Sequence, residues 1–399
     1  GEENIQEMSF DLFAYRKLQD TAADCEDRCD QIEREMRDPK AAERFALKQS
    51  QAFVDQMEGF ALELEDELMN FSDVSYKSFV KSESEIITLF YDKFADIPLL
   101  SRMDAVAETF IDEIETLLNR DLPEEERIPL IEKFRKMYET MDFYVLYNRF
   151  LKKEGYQTLP RRPLEKRKLR YEDVYPVLYL KYRLSRQAER SNIKHLVIDE
   201  MQDYSRLQYL IIRRMFSCKM TILGDRAQTM ADQQQDVLQF LPGIFGKDLR
   251  RIEIRKSYRN TVEIASYAAN LIGVTDLELF ERHGMPVLER DVTDLEAALR
   301  EAVDTLFPEE KTYETAAVIV PDEKTAERAY LILREILAEK DFDCEKRLSW
   351  LNRDSSSFKK GLTVTTFYLA KGLEFDQVFS IFPKDEKREM MMQAQYIAA

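Results

Sequence analysis

Apolar residues recur at steps of three and four through the first third of the chain. Phe53, Met57, Phe60, Leu64, Leu68 and Phe71 make one such stripe, with Glu63, Glu65, Asp66 and Glu67 on the faces around it. Met103, Val106, Phe110, Ile114 and Leu117 make a second. This spacing brings side chains to one face of an α-helix, and such stripes form core far more often than ligand boxes. Residues 10–155 therefore read as helix almost throughout, a bundle or antiparallel arm. Pro123 followed by three glutamates marks a helix start, because acids in the first turn are favoured by the helix dipole. From residue 151 the pattern changes. The stretch LKKEGYQTLPRRPLEKRKLRYED is basic, carries Pro160 and Pro163, and reads as a connector. After it, the short apolar runs HLVID, MTILGD, LRRIEI, TAAVIV, LTVTTF and DQVFSIF alternate with the helical stretches VEIASYAANLI and EKTAERAYLILREILAEK. Strands alternating with helices predict a parallel α/β sheet, with a helical block placed before it or inserted into it. No fixed-period repeat is evident.

Composition narrows the class. A length of 399 residues allows two or three domains with cores of their own, and 44% hydrophobic residues exclude a disordered chain. No apolar run approaches the roughly eighteen residues of a spanning helix. No leader is visible, although the opening GEENIQEMSF lacks Met and a removed leader stays open. Cys25, Cys29, Cys218 and Cys344 are scattered and have no zinc spacing with the two histidines, which predicts reduced thiols in a cytoplasmic protein.

Charge is more informative in its distribution than in its total of -17. Residues 1–150 hold 36 Asp and Glu against 18 Lys and Arg, while the remainder holds 40 against 41. An acidic block of this kind opposes nucleic-acid binding by repelling phosphate. It is either a solvated helical face or a surface for a basic partner.

The candidate chemistry lies at strand ends. In HLVIDE the apolar run, read as a buried strand, stops at Asp199 and Glu200, and open parallel sheets bind ligands beyond the carboxyl ends of their strands. Two adjacent acids there can divide two tasks, one ordering a magnesium ion and the other taking a proton from an attacking water. The run MTILGD likewise ends in Asp225 and is followed by Gln228, which could read a γ-phosphate or hold the lytic water.

VIDEMQDYS followed by ILGDRAQT resembles the second and third signature motifs of superfamily 1 helicases and their UvrD-like relatives. KSYRNTVEIASYAANLI resembles the fourth and TVTTFYLAKGLEFDQVF the fifth, in the family's order across residues 194–382. The resemblance implies an α/β fold of two RecA-like parallel-sheet lobes of the P-loop NTPase type, the first incomplete, with a large all-helical insertion. Residues 1–165 would be an acidic helical arm inserted in the first lobe, 166–250 the remainder of that lobe, and 251–399 the second lobe, truncated at its C-terminus. It implies ATP as substrate and Mg2+ as cofactor, with Asp199 on the metal and Glu200 as catalytic base. Gln228 would sense the γ-phosphate, Arg259 would reach it, and Tyr258 would stack on adenine. Glu374 would meet the ribose, with Lys371 and Gly372 nearby. A phosphate-binding loop needs GxxxxGK followed by Ser or Thr. PGIFGKDL has the wrong glycine spacing and Asp after Lys247. The family places that loop upstream of the acidic pair, and MMQAQYIAA resembles the approach to the sixth motif, so the chain alone is expected not to hydrolyse ATP.

Three departures separate the chain from DNA-unwinding relatives. QTMADQQQDVLQF has no aromatic residue before Phe240, Tyr368 stands where the fifth motif normally has His, and roughly a hundred residues separate Arg259 from Lys371, little more than a RecA-type lobe needs. GEENIQEMSF, YEDVYPVLYLKYRL, VIDEMQDYSRLQY and YLAKGLEFD look like the HelD-type ATPases that act on bacterial RNA polymerase. That resemblance implies an acidic arm docked on the polymerase core, weak nucleic-acid binding and no membrane partner. Two other readings stay open: an ATP-dependent DNA helicase or translocase of the UvrD class, and a non-catalytic protein-interaction module.

Overall fold

The computed structural model describes residues 5, 7–186, 193–225, 237–246, 249–254, 256–257, 260–273, 278–306, 313–340, 343–355, 360–383, 394–395 and 397–398. Gln228, Tyr258 and Arg259 lie outside the described residues. The chain divides into two compact units, one of residues 1–199, 204–223 and 237–247, the other of 200–203, 224–236 and 248–399. Among the described residues no helix is long and apolar enough to cross a membrane.

The first unit is mainly helical. Its helices are α1 (Phe10–Lys17), α2 (Arg28–Arg37), α3 (Pro39–Lys48), α4 (Gln51–Glu67), α5 (Glu83–Thr88), α6 (Arg102–Leu118), α7 (Glu124–Arg135), α8 (Phe143–Lys153), α9 (Tyr171–Leu184), α10 (Arg206–Met215) and α11 (Val237–Phe245). Its strands pair in twos: β1 (Asp24–Cys25) parallel with β4 (Lys168–Leu169), β2 (Val74–Tyr76) antiparallel with β3 (Phe79–Lys81), and β5 (His195–Ile198) parallel with β6 (Lys219–Ile222). The first apolar stripe is core: Phe53, Met57, Phe60, Leu64 and Leu68 are all buried. Helix α4 starts where Ser50 Oγ accepts from Phe53 N, and α7 starts directly after Pro123 with Glu124, Glu125 and Glu126 in its first turn. The α9 sequence YEDVYPVLYLKYRL, buried on almost every side, sits at the centre, with α1, α2, α3, α4, α8 and α10 packed around it.

Three expectations are corrected here. The helical reading of 10–155 passed over the β2–β3 hairpin, whose turn is set by Lys77 at φ +53°. Leu117, expected in the second stripe, is 71% exposed. At 3.6 residues per turn the buried face after Ile114 passes to Leu118, four residues on, rather than Leu117, three on. Val197 is 60% exposed although HLVID was read as a buried strand. Among the described residues β5 pairs only with β6, so one face, Leu196, Ile198, Met220 and Ile222, packs inward while His195, Val197, Lys219 and Thr221 face outward.

The second unit carries a four-stranded parallel sheet in the order β10–β11–β9–β12. Its strands are β9 (Thr315–Val320), β10 (Leu348–Trp350), β11 (Gly361–Thr366) and β12 (Gln377–Ser380); β7 (Lys256–Ser257) and β8 (Glu278–Leu279) form a separate short pair. The helices are α12 (Val262–Ile272), α13 (Leu295–Leu306), α14 (Glu323–Ala338), α15 (Cys344–Arg347) and α16 (Phe367–Ala370). Five of the six residues in each central strand are buried, as expected for strands covered on both faces. LRRIEI, expected as a strand, is irregular, and Ile252 and Ile254 are exposed.

Gly361 opens β11 at φ +126°, where a Cβ would lie 2.1 Å from the Arg347 carbonyl oxygen. Gly361→Ala is therefore expected to cost this unit at least about 1–3 kcal/mol through backbone strain. Calorimetry should register the loss; an unchanged transition would contradict it.

Candidate functional site

The parallel register of β5 and β6 brings their carboxyl ends side by side. Ile198 faces Ile222, and the Leu223 amide donates to the Ile198 carbonyl at 2.8 Å. Asp199 follows at the end of β5 and is exposed. Glu200 takes φ +53°, a left-handed conformation rare outside glycine, and a single turn of 3-10 helix, Met201–Asp203, follows. That bend turns the chain back on itself, so that the Asp203 amide donates to the Glu200 carbonyl at 2.9 Å.

Around Glu200 the side chains interlock. Gln202, 2% exposed, donates from Nε2 to Glu200 Oε2 at 2.5 Å. Its Oε1 accepts from the Asp225 amide at 3.0 Å. Gly224 has to be glycine, since a Cβ would stand 2.4 Å from that Oε1 and 2.6 Å from the Met201 nitrogen. Lys371 Nζ lies 2.7 and 2.8 Å from the two Asp203 carboxylate oxygens and 3.3 Å from Glu200 Oε2. Its side chain is almost wholly buried, so the ammonium charge is neutralised by carboxylates rather than by water.

Lys371 ends α16, and Gly372 follows at φ +82°. Glu374 is exposed in the next turn. Asp376 pins that turn to the start of β9, because its Oδ2 accepts from the Glu314 and Thr315 amides, each at 2.9 Å. These backbone donors, Thr315 foremost, hold the Asp376 carboxyl below the usual carboxylate range.

Of the residues singled out in the sequence, Glu200 and Lys371 come together. Asp199 at the end of β5 and Glu374 after α16 are both exposed. Gln202 and Asp203 were not given roles, although the run DEMQD carried them next to the acidic pair. Asp199 offers a hard oxygen donor of the kind Mg2+ prefers. Among the described residues no group of three or more His, Cys, Asp or Glu could hold a metal ion. A single carboxylate such as that of Asp199 holds Mg2+ only together with water and substrate phosphate.

No curated protein matches the chain. The family model for the UvrD/REP helicase N-terminal domain matches residues 3–230, a span that runs from before α1, through the acidic pair, to past the end of β6. Covering more than half of the 399 residues, that match places the chain in the UvrD/REP helicase family, the superfamily 1 ATPases and helicases whose members use ATP with Mg2+.

Proposed function

We propose that the chain is the core of a HelD-type ATPase that opens bacterial RNA polymerase and releases nucleic acid, with residues 1–165 as its acidic arm. Asp199 would hold Mg2+, which when bound neutralises charge on the nucleotide phosphates. Glu200 would act as base and Gln228 and Arg259 would face the γ-phosphate. Tyr258, Lys371, Gly372 and Glu374 would line the nucleotide. The 399 residues contain no GxxxxGK[ST] run, and hydrolysis is read as requiring such a loop joined to them.

The observation that carries the polymerase reading is how the arm uses its charges. Several of its bases are taken up by internal ion pairs: Lys81 with Glu113, Arg102 with Glu65, Arg127 with Glu108 and Glu115, Arg135 with Asp104, and Arg149 with Glu139. The surplus is acid. Helix α4 even places Glu65, Asp66 and Glu67 in its last turn and no base there. Acids at that end oppose the helix dipole at about 0.3–1 kcal/mol each; Glu65 is used by Arg102, but helix stability does not account for the exposed Asp66 and Glu67. A surface that meets a basic, DNA-binding channel does.

The test is a pull-down of the chain with bacterial RNA polymerase core, with and without single-stranded DNA, at two salt concentrations. Retention weakened by DNA and by Asp66→Lys with Glu67→Lys supports this reading; both positions are exposed and leave the Arg102–Glu65 pair intact. The family match favours a second reading, a DNA translocase of the UvrD class. Salt-dependent binding to the DNA without retention on the polymerase would establish that one instead.

A further inference from the structure

We propose that Gln202 is a positioning residue that sets the carboxylate of Glu200 from the end of the β6 strand. The inference rests on the reading of Glu200 as the base and adds what orients it. The buried amide spans two segments that are distant in sequence. One end accepts from the Asp225 backbone at 3.0 Å and the other donates to Glu200 Oε2 at 2.5 Å. Its orientation is forced. Turned over, the amide would set its oxygen against a carboxylate and its NH2 against a backbone N–H, so both contacts would be repulsive. The strut has no slack either, because Gly224 lies so close to it that a Cβ at residue 224 would stand 2.4 Å from its Oε1.

Lys371 reaches the same Oε2 at 3.3 Å while holding Asp203. Two donors on one oxygen fix the rotation of the Glu200 side chain. Of the two, only the Gln202 donor is tied to the strand end that leads, three residues beyond Asp225, to Gln228. A displacement of Gly224–Asp225 is therefore passed to Glu200 through this buried side chain. The left-handed backbone at Glu200 has the same consequence, since it points the carboxylate back towards Gln202. Glu200 is set to act only when the second strand end is in place.

The experiment is steady-state ATP hydrolysis by the full-length protein, comparing wild type with Gln202→Glu, Gln202→Met, Glu200→Gln and the double variant Gln202→Glu with Glu200→Gln. Gln202→Glu keeps an acceptor for the Asp225 amide but removes the donor to Glu200, and Gln202→Met keeps the shape with neither. Gln202→Glu is expected to lower kcat by about 10²-fold, the scale of a misplaced catalytic group, with KM for ATP changed by less than about twofold. Because Gln202 acts through Glu200, the double variant should be no slower than Glu200→Gln alone. Unchanged kcat in Gln202→Glu, a proportional loss in kcat and KM, or additive losses in the double variant would overturn the proposal. Should Gln202→Glu fail to fold, Gln202→Met carries the same kcat and KM comparison. If Glu200→Gln itself keeps full turnover, the base assignment fails; if it abolishes turnover while Gln202→Glu does not, only the positioning role fails.

Discussion

Glu200→Gln is expected to reduce ATP turnover of the full-length protein by about 10²–10⁴-fold, the range contributed by a positioned general base, while leaving nucleotide affinity in place. The substitution exchanges one carboxylate oxygen for NH2 and keeps the side chain's length. Lys371 retains its two short contacts to Asp203, so its buried ammonium stays neutralised. The Gln202 amide still finds a carbonyl oxygen at position 200 to donate to. The fold should therefore lose no more than about 0.5 kcal/mol, as for a partly exposed site. Single-turnover hydrolysis alongside binding of a fluorescent ATP analogue separates chemistry from affinity. Turnover within tenfold of wild type would remove Glu200 from the chemistry, and lost binding would make it a ligand instead.

What the sequence revealed and what it concealed follow from where each determinant resides. The α4 stripe from Phe53 to Leu68 was legible because one helix face faces one core. β9, β11, α12 and α14 lie where TAAVIV, LTVTTF, VEIASYAANLI and EKTAERAYLILREILAEK place them, since the helices are long enough for their period to show and the strands are short β-branched runs bounded by polar residues. Acids at a strand end are common, and those at the end of β5 were legible because VIDEMQDYS is followed by ILGDRAQT. The β2–β3 hairpin was hidden by its length of three residues per strand, too short for alternation to register. Exposure of Val197 was hidden as well, because burial of a strand face depends on what covers it rather than on the strand. The roles of Gln202 and Asp203 depend on partners far along the chain. Lys371 is 168 residues from Asp203, and Asp225 is 23 from Gln202. No local pattern encodes such pairings.

Lys48→Ala is expected to destabilise the first unit by about 3–5 kcal/mol, the cost of leaving buried charge without its partner. Lys48 Nζ lies 2.7 Å from Asp173 and 3.3 Å from Glu172, and all three side chains are buried. The Tyr147 hydroxyl also donates to Asp173 at 2.7 Å, and Arg34 and Arg44 stand 3.5 and 3.6 Å from Glu172. Both acids occupy the first turn of α9, where the helix dipole offsets part of their desolvation. The dipole alone contributes at most ~2 kcal/mol, less than the loss of the ammonium. Since α9 touches most helices of the unit, the damage should be global rather than local. Urea unfolding followed by far-UV circular dichroism measures it, whereas fluorescence of Trp350, the only tryptophan, reports the second unit. Adding Glu172→Gln and Asp173→Asn to Lys48→Ala should restore part of the stability, because uncharged amides need no counterion. A shift below about 1 kcal/mol for Lys48→Ala would mean that Arg34 and Arg44 on Glu172 and the Tyr147 hydroxyl on Asp173 already satisfy the two carboxylates without the ammonium.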